Sequence, residues 1–330
     1  MNQLTRRSAT AAAAALMLGT GLLAAGTAQA QAAWPAKTIT LVVAYPAGGD
    51  TDAMARTYAE KLGQRLGQAV VVDNRPGATG TLGAGYVAKA PADGYTLLFA
   101  PSTFAIAPLV LKGGVPMDVN KDFTPITQVG ASPLLLLAST QSGLKDVKSL
   151  VAQVKGGKDI AYGSSGSGSP MHIVGEMFNK AAGIKMTHVP YKGIAPGLAD
   201  LLGGHLPTVY ATPGAAAGYL ADKKVVPLAV TGQGRSPILP EVPSLVELGY
   251  KDVDVTAWWG LFGPKGVPAE VVKKIEATMQ EVIKMPDVVA KLNTMAVTPE
   301  IADGAALGRT VANDHARFGK VIKEFGIQAD

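Results

Sequence analysis

Short β-prone runs, each followed by a glycine-rich loop and then by a helical pattern, recur along this chain. Residues 38–44 (TITLVVA) form a continuous β-prone run, which is typical of a strand buried on both faces of a parallel sheet. A glycine-rich loop follows, and the apolar residues after it recur at helical spacing as far as Gly67. Such alternation of strands and helices predicts an α/β fold.

A second set of the same units begins at residue 160. Residues 160–163 form a predicted strand, a Ser/Gly-rich loop follows, and a helix is predicted to begin at Pro170 with Ser169 as its N-cap. Further strand–helix units continue to residue 231, and the last 75 residues are mainly helical in pattern. We therefore expect two α/β sets in one chain.

The N-terminal residues 1–30 have the pattern of an export signal. Arg6 and Arg7 precede an apolar stretch, and Ala28-Gln29-Ala30 fits a small-x-small cleavage site. Both the general secretory route and the twin-arginine route remain open. No later run is long enough to span a membrane, so we expect an exported, soluble protein that begins at Gln31.

The composition excludes several classes of site. The chain has no Cys, which excludes disulfides, thiolate zinc sites and a cysteine nucleophile. Its four His residues lack the spacing of a helical metal pair, and the net charge of +5 is too small for a nucleic-acid surface. We expect no metal, no cofactor and no nucleic-acid partner.

Catalytic and nucleotide motifs are absent or misplaced. A G-x-G-x-x-A match at residues 83–88 lies within a predicted helix, and no acid follows at the required distance. An alternative function is a secreted serine hydrolase that uses Ser165 or Ser167 with His172 as base, but no acid near His172 is evident to orient it.

Two loops remain as candidate binding elements: the first loop, residues 46–52, and the second loop, residues 164–169. Each follows a predicted strand and precedes a helix, so its N–H groups and the helix dipole favour an anion. Neither loop contains Lys or Arg, which favours a carboxylate over a phosphate. The alternative is that both are ordinary tight turns. Asp50 or Thr51 is expected to cap the first helix.

Several short motifs support a resemblance to a known family. They are Trp34-Pro35, YPAGGxxD at 45–52, NRPGA at 74–78, APADGYTL at 90–97, YGSSGSGS at 162–169, HVPYKG at 188–193, DLLGG at 200–204, and Arg235-Ser236-Pro237 leading to Glu241-Val242-Pro243. In this order and spacing, the mature chain resembles the solute-binding receptors of tripartite tricarboxylate transporters, the Bug family.

The resemblance implies a two-domain periplasmic binding protein fold, type II-like, with the ligand cleft between the domains. The expected domains are residues 31–131 with 255–330, and residues 132–254. The expected function is non-enzymatic: a monomer in the periplasm captures a small carboxylate and delivers it to the membrane permease subunits. The implied ligand-binding residues are Tyr45, Ala47, Gly48, Gly49, Asp52, Ser164, Ser165, Gly166, Ser167, Gly168 and Ser169, with Tyr191 and Thr212 on the far side of the ligand.

The chain departs from the family pattern at Pro207 and Ala211, where many relatives carry acids. We therefore expect the distal end of the pocket to accept an aromatic or aliphatic group, or a second carboxylate, rather than an ammonium. A sensor that presents its ligand to a membrane histidine kinase uses the same cleft and remains an alternative.

Overall fold

The computed structural model describes residues 34–115 and 117–329. The predicted export signal and its cleavage site near Ala30 lie outside the described residues. Residues 37–330 form one unit of the chain, and the elements below belong to it. This unit contains two β-sheets with helices packed on them, so the predicted α/β class with two sets of elements is confirmed.

The strands fall into two sheets. Across the described residues they are β1 (Ile39–Val43), β2 (Val70–Asn74), β3 (Thr96–Pro101), β4 (Phe123–Pro133), β5 (Leu135–Ser139), β6 (Ala161–Ser164), β7 (Thr187–Pro190), β8 (Thr208–Ala211), β9 (Val225–Val230), β10 (Thr256–Pro264) and β11 (Ala302–Asp303). The first sheet has the order β11-β4-β10-β3-β1-β2, and the second has the order β7-β6-β8-β5-β9.

Each sheet is mixed. In the first, β1 is parallel to both β2 and β3, whereas β10 is antiparallel to β3 and β4. In the second, β6 is parallel to both β7 and β8, whereas β5 is antiparallel to β8 and β9. The parallel parts are the strand–helix units predicted from the sequence, and antiparallel strands complete each sheet.

Helices connect the strands. They are α1 (Asp50–Leu66), α2 (Thr81–Ala88), α3 (Thr103–Val110), α4 (Val147–Lys155), α5 (Pro170–Ala182), α6 (Ile194–Leu202), α7 (Pro213–Ala221), α8 (Ala269–Val282), α9 (Pro286–Thr294) and α10 (Gly304–Phe325). A short 3-10 turn covers Ala78–Gly80. Within the described ranges, no helix has both the length and the apolar character needed to cross a membrane.

Helix α5 begins and ends where the sequence predicts. Ser169 is its N-cap, and the Ser169 hydroxyl oxygen accepts a hydrogen bond from the backbone N–H of His172 at 3.3 Å. Pro170 occupies the first helical position, where its missing N–H is not needed. Gly183 ends the helix in the left-handed conformation, with φ of 60°. These local signals fix the position at which the second loop meets α5.

The chain changes sheets twice, and one side chain joins the two crossings. The first change lies between β4 and β5, and the second lies between β9 and β10. Thr231 is fully buried; its hydroxyl accepts a hydrogen bond from Leu134 N at 2.8 Å and donates to Val255 O. The predicted domain boundaries at residues 131 and 254 lie close to these crossings and stay a prediction.

Helix α10 contributes to two hydrophobic cores. Leu307 and Val311, in its first half, pack in the core formed on the first sheet by residues of β1, β3 and β10. Phe318 and Ile322, in its second half, pack in the core between the second sheet and α5. Helix α3 is divided between the same two cores. The two sheets are therefore linked by packed helices as well as by the crossings.

We expect Thr231→Val to destabilise the protein by about 1 to 3 kcal/mol, because the buried Leu134 N–H then loses its acceptor. Urea unfolding of the purified protein measures this loss. The same substitution at Thr278, whose hydroxyl donates to Lys274 O on the surface of α8, is the matched control and should change stability by less than about 0.5 kcal/mol. Equal effects of the two substitutions would contradict the role assigned to Thr231.

Candidate functional site

The carboxyl ends of the parallel strands carry the residues that the sequence singles out. In the first sheet, the first loop follows β1, residues 75–80 follow β2, and Ser102 follows β3. In the second sheet, the second loop follows β6, Tyr191 follows β7, and Thr212 follows β8. Because the carboxyl ends of parallel strands meet at one edge, each sheet gathers its own set of candidate residues there.

The first loop presents uncapped backbone N–H groups. Residues 46–50 are exposed, and α1 begins at Asp50 with Gly49 as its N-cap. No side chain among the described residues caps this helix end, so the expectation that Asp50 or Thr51 caps it is wrong. The first N–H groups of α1 lack an intrahelical acceptor, and the helix dipole places partial positive charge beside them.

The Asp52 carboxylate holds the first loop from behind. Although Asp52 is only 3% exposed, its carboxylate accepts hydrogen bonds from Gly48 N at 2.9 Å, Arg56 Nε at 3.0 Å and Asn74 Nδ2 at 2.9 Å. Asn74 Nδ2 also donates to Tyr45 O at 3.1 Å. Burial alone raises the pKa of Asp52, but these hydrogen bonds outweigh it and lower the pKa to about 2. Asp52 therefore remains ionised and fixes the loop.

Two further contacts fix the ends of the first loop. At its beginning, the Tyr45 hydroxyl is hydrogen-bonded to Thr103 Oγ1 and lies 3.4 Å from Thr79 O. At its end, Trp259 Nε1 donates to Thr51 Oγ1 at 3.2 Å. Trp259 lies on β10 and is buried. The 3-10 turn, α3 and β10 thus position this loop.

The second loop is held by hydrogen bonds to two histidines, the buried His172 and the half-buried His188. Ser164 Oγ lies 2.7 Å from His188 Nε2 and accepts a hydrogen bond from Gly166 N at 3.1 Å. Gly168 N donates to His172 Nδ1 at 3.2 Å. Ser164 is fully buried, whereas Ser165, Gly166 and Ser167 are partly exposed. The partly exposed residues are therefore the part of the loop that can meet a ligand.

The two histidines form a neutral stack. The rings of His172 and His188 are 3.6 Å apart and inclined by only 10°. Burial lowers the pKa of His172 to about 4, and burial together with the neighbouring His172 lowers the pKa of His188 to about 3. Since His172 Nδ1 accepts from Gly168 N, a proton on that nitrogen would break the hydrogen bond to the loop.

The nearby cations are engaged with other groups. Arg75 Nε donates to the Asp73 carboxylate at 2.6 Å, and the Arg75 guanidinium lies 3.7 Å above the Tyr86 ring. Arg56 is bonded to Asp52 and, through Nη2, to Asn74. These contacts give Arg75 a structural role. An anion at the first loop would depend on backbone N–H groups rather than on either guanidinium.

The two residues expected on the far side of the ligand already have partners. The Tyr191 hydroxyl donates to the Asp200 carboxylate at 2.6 Å, and burial followed by this bond raises the pKa of Tyr191 to about 12. The Thr212 hydroxyl oxygen caps α7 by accepting from Ala215 N at 3.3 Å. Ala211 is fully buried in the core of the second sheet. The predicted ligand contacts of Tyr191 and Thr212 stay a prediction.

Helix α3 links the two groups of candidate residues. Its first residue, Thr103, is hydrogen-bonded to Tyr45 beside the first loop. At its last residue, Val110, the side chain lies so close to Gly168 that a Cβ on that glycine would be 2.9 Å away. An eight-residue helix rises by about 12 Å at about 1.5 Å per residue, so a short rigid element separates Tyr45 from the second loop.

The arrangement does not form a hydrolytic triad. Ser164 and His188 are within hydrogen-bond distance, but Ser164 is fully buried and its oxygen also accepts from Gly166 N. An acid does lie near His172, contrary to expectation, since Glu176 Oε1 is 3.9 Å from His172 Nε2. However, His172 Nδ1 accepts from Gly168 N, which leaves this nitrogen unavailable as a base for Ser165 or Ser167. Across residues 34–115 and 117–329, no group of His, Asp and Glu side chains is arranged to hold a metal ion.

Sequence reasoning missed four residues that build the site. Thr79, Thr103, His188 and Trp259 contact the loops or the residues beside them. Thr103 has a signal that could have revealed it, since it lies just after the β-prone run 95–100, as Tyr45 follows 38–44. The other three lie far along the chain from the residue that each contacts, and local pattern does not show such pairs.

A family model described as "Tripartite tricarboxylate transporter family receptor" matches residues 54–327. The chain belongs to this family. BugT of Bordetella pertussis is 33% identical over 295 residues, which cover 89% of this chain and 90% of BugT. A protein from the tcbD-tcbE intergenic region of Pseudomonas sp. strain P51 is 33% identical over 301 residues, covering 90% and 89% respectively.

Solved structures of similar receptors have the same fold. Rpa4515 of R. palustris, solved with adipate, has a TM-score of 0.78 and 32% identity, and the match covers 89% of this chain and 99% of that one. MatC of Rhodopseudomonas palustris, with bound malate, has a TM-score of 0.73 and 29% identity, covering 88% and 100%. The periplasmic binding protein BugD has a TM-score of 0.75 and 32% identity, covering 90% and 100%. This receptor therefore has the two-domain fold of periplasmic solute-binding proteins.

We expect the stability of this receptor to fall as the pH drops from about 6.5 towards 4. In that range the unfolded chain binds protons at residues 172 and 188, whereas the folded protein keeps both histidines neutral because their pKa values are about 4 and about 3. The slope of the unfolding free energy against pH is set by the number of protons that the chain takes up on unfolding. His188→Gln removes one titrating group and should reduce this number by up to about one.

Chemical denaturation at a series of pH values measures this slope. The control is His205→Gln, which removes an exposed histidine outside the stack. An identical slope in wild type and His188→Gln would show that the stacked histidines do not resist protonation.

Proposed function

We propose that this protein is a periplasmic receptor that binds a small carboxylate at the first and second loops. The observation that carries the proposal is the uncapped start of α1, where Gly49 leaves the first N–H groups free and residues 46–50 are exposed. Asp52 and Trp259 hold this end in place without occupying those N–H groups. A carboxylate oxygen can accept from them directly.

Backbone donors are sufficient for useful affinity. A hydrogen bond to a charged group contributes about 1.5 to 3 kcal/mol, and a micromolar complex needs about 8 kcal/mol. Four such bonds, shared between the first loop and Ser165 to Ser167 of the second loop, would reach this value before ordering costs are subtracted. Preorganised loops keep those costs low, because Asp52 and the histidine stack have already fixed their backbones.

The relatives narrow the ligand class. Two similar receptors were solved with adipate and with malate, and each of these ligands has a carboxylate at both ends. A dicarboxylate could place one end on the first loop and the other on the second.

Capture and release follow from domain closure. A ligand that touches both loops stabilises the closed arrangement more than the open one, and that difference in affinity drives closure. In this proposal the chain is exported, is cleaved near Ala30, acts as a monomer without enzymatic activity, and delivers its ligand to membrane permease subunits. The hydrogen bonds that occupy Ser164, His188 and His172 support a binding role over hydrolysis.

We expect Gly49→Asp to abolish carboxylate binding without loss of stability. Asp is a favoured N-cap whose carboxylate accepts from the first N–H groups of a helix, so it would occupy the donors that the ligand needs and repel its charge. A Cβ fits at this position, where the nearest atom, Pro46 O, is 4.0 Å away. Thermal unfolding against mono-, di- and tricarboxylates, aromatic acids and amino acids provides the measurement, after refolding to remove carried ligand.

At about 100 times its dissociation constant, a bound carboxylate should add roughly 2.7 kcal/mol to wild-type stability. Gly49→Ala is the matched control, because it adds the Cβ but leaves the N–H groups free, and its response should match wild type within a few-fold. A Gly49→Asp protein that still binds the same carboxylate would place the ligand elsewhere. A folded wild-type protein that responds to no carboxylate would contradict the proposed function.

Delivery to a permease requires an experiment in cells. Deleting the gene should abolish uptake of the radiolabelled carboxylate identified above, and expression of the wild-type receptor should restore it. The Gly49→Asp receptor should reach the periplasm but fail to restore uptake. Normal uptake in the deletion strain, together with an altered transcriptional response to the same carboxylate, would favour a sensor that acts through a histidine kinase.

A further inference from the structure

A strained turn lies beside the first loop. Residues Gly77, Ala78, Thr79 and Gly80 all have positive φ, of 133°, 45°, 54° and 90° respectively. Glycine adopts positive φ readily, but Ala and especially the β-branched Thr are disfavoured at positive φ. Strained residues of this kind persist where the surrounding structure imposes them, and they concentrate at ligand sites. A glycine at position 79 would adopt this backbone more easily.

The turn is fixed against Tyr45. Tyr45 OH lies 3.4 Å from Thr79 O, and a Cβ on Gly80 would lie only 3.0 Å from the same hydroxyl. The Tyr45 hydroxyl is also hydrogen-bonded to Thr103 Oγ1. Residue 79 is therefore held at the carboxyl edge of the first sheet, next to the start of the first loop.

The Thr79 hydroxyl has no protein partner there. Thr79 is exposed, and no other residue in the described part of the chain hydrogen-bonds its Oγ1. Ala78 shares the exposure and the left-handed backbone but has no polar group. The left-handed backbone is therefore common to Ala78 and Thr79, whereas only Thr79 has a hydroxyl. The turn forms no hydrogen bond with that hydroxyl.

We propose that Thr79 is a specificity-determining residue that recognises a neutral oxygen, a hydroxyl or carbonyl, next to the carboxylate bound at the first loop. This inference rests on the proposed function. The hydroxyls of Thr79, Tyr45 and Thr103 can donate and accept hydrogen bonds but carry no charge. Arg75, the cation on the same segment, is bonded to Asp73 and stacked on Tyr86. The unpartnered Thr79 hydroxyl can therefore donate to a carbonyl oxygen, or exchange a hydrogen bond with a hydroxyl, on a ligand held at the first loop.

The test compares carboxylates that differ by one hydroxyl. Isothermal titration of wild type with succinate and malate, glutarate and 2-hydroxyglutarate, and propionate and lactate should show tighter binding of the hydroxylated member by about tenfold, or about 1.4 kcal/mol, in at least one pair. Thr79→Gly should reduce that preference to within about twofold and raise Tm by about 2 °C, because the strain is relieved.

Two variants separate the hydroxyl from the backbone. Ala78→Gly relieves strain at the neighbouring residue and should raise Tm similarly while leaving the hydroxyl preference unchanged. Thr79→Ser keeps the hydroxyl and should retain the preference. A raised Tm with an unchanged preference in Thr79→Gly would overturn the proposal, as would wild-type preference for the deoxy member in every pair. Failure of wild type to bind any carboxylate in the wider panel would instead overturn the proposed function, and this inference with it.

Discussion

The pairing of parallel strands is the constraint on which the rest of this structure depends. Because β1, β2 and β3 run in one direction, the segments that follow them meet at one edge of the first sheet, and β6, β7 and β8 do the same in the second. Segments distant in sequence are thereby brought together without any motif that joins them. The antiparallel strands β10 and β5 widen the sheets and allow the chain to pass between them.

Both loops are fixed from behind by buried polar groups. Asp52 accepts from Gly48 N below the first loop, and His172 accepts from Gly168 N below the second. The first loop uses the Gly48 N–H in this way, and the second uses those of Gly166 and Gly168, while the remaining exposed backbone stays available to a ligand. The charge states agree with this role, since the carboxylate of Asp52 remains ionised and the ring of His172 remains neutral near neutral pH.

Continuity between the sheets comes from shared helices. Helix α10 places Leu307 in the first core and Phe318 in the second, and α3 lies between Tyr45 and the second loop. Thr231 joins the two crossings by hydrogen bonds to Leu134 N and Val255 O. The two sheets are therefore joined both by helices that pack in each core and by the hydrogen bonds at the two crossings.

Local patterns in the sequence determined the strand–loop–helix units, the ends of α1 and α5 at Gly67 and Gly183, and the positions of both loops, because burial and capping leave signals within a few residues. The resemblance supplied the family. Tertiary structure decided that Gly49 caps α1 without a side chain, that His188 meets Ser164, and that Thr79 lies beside Tyr45. The last two contacts join residues far apart in the chain, and only the packing of strands and helices brings such residues together.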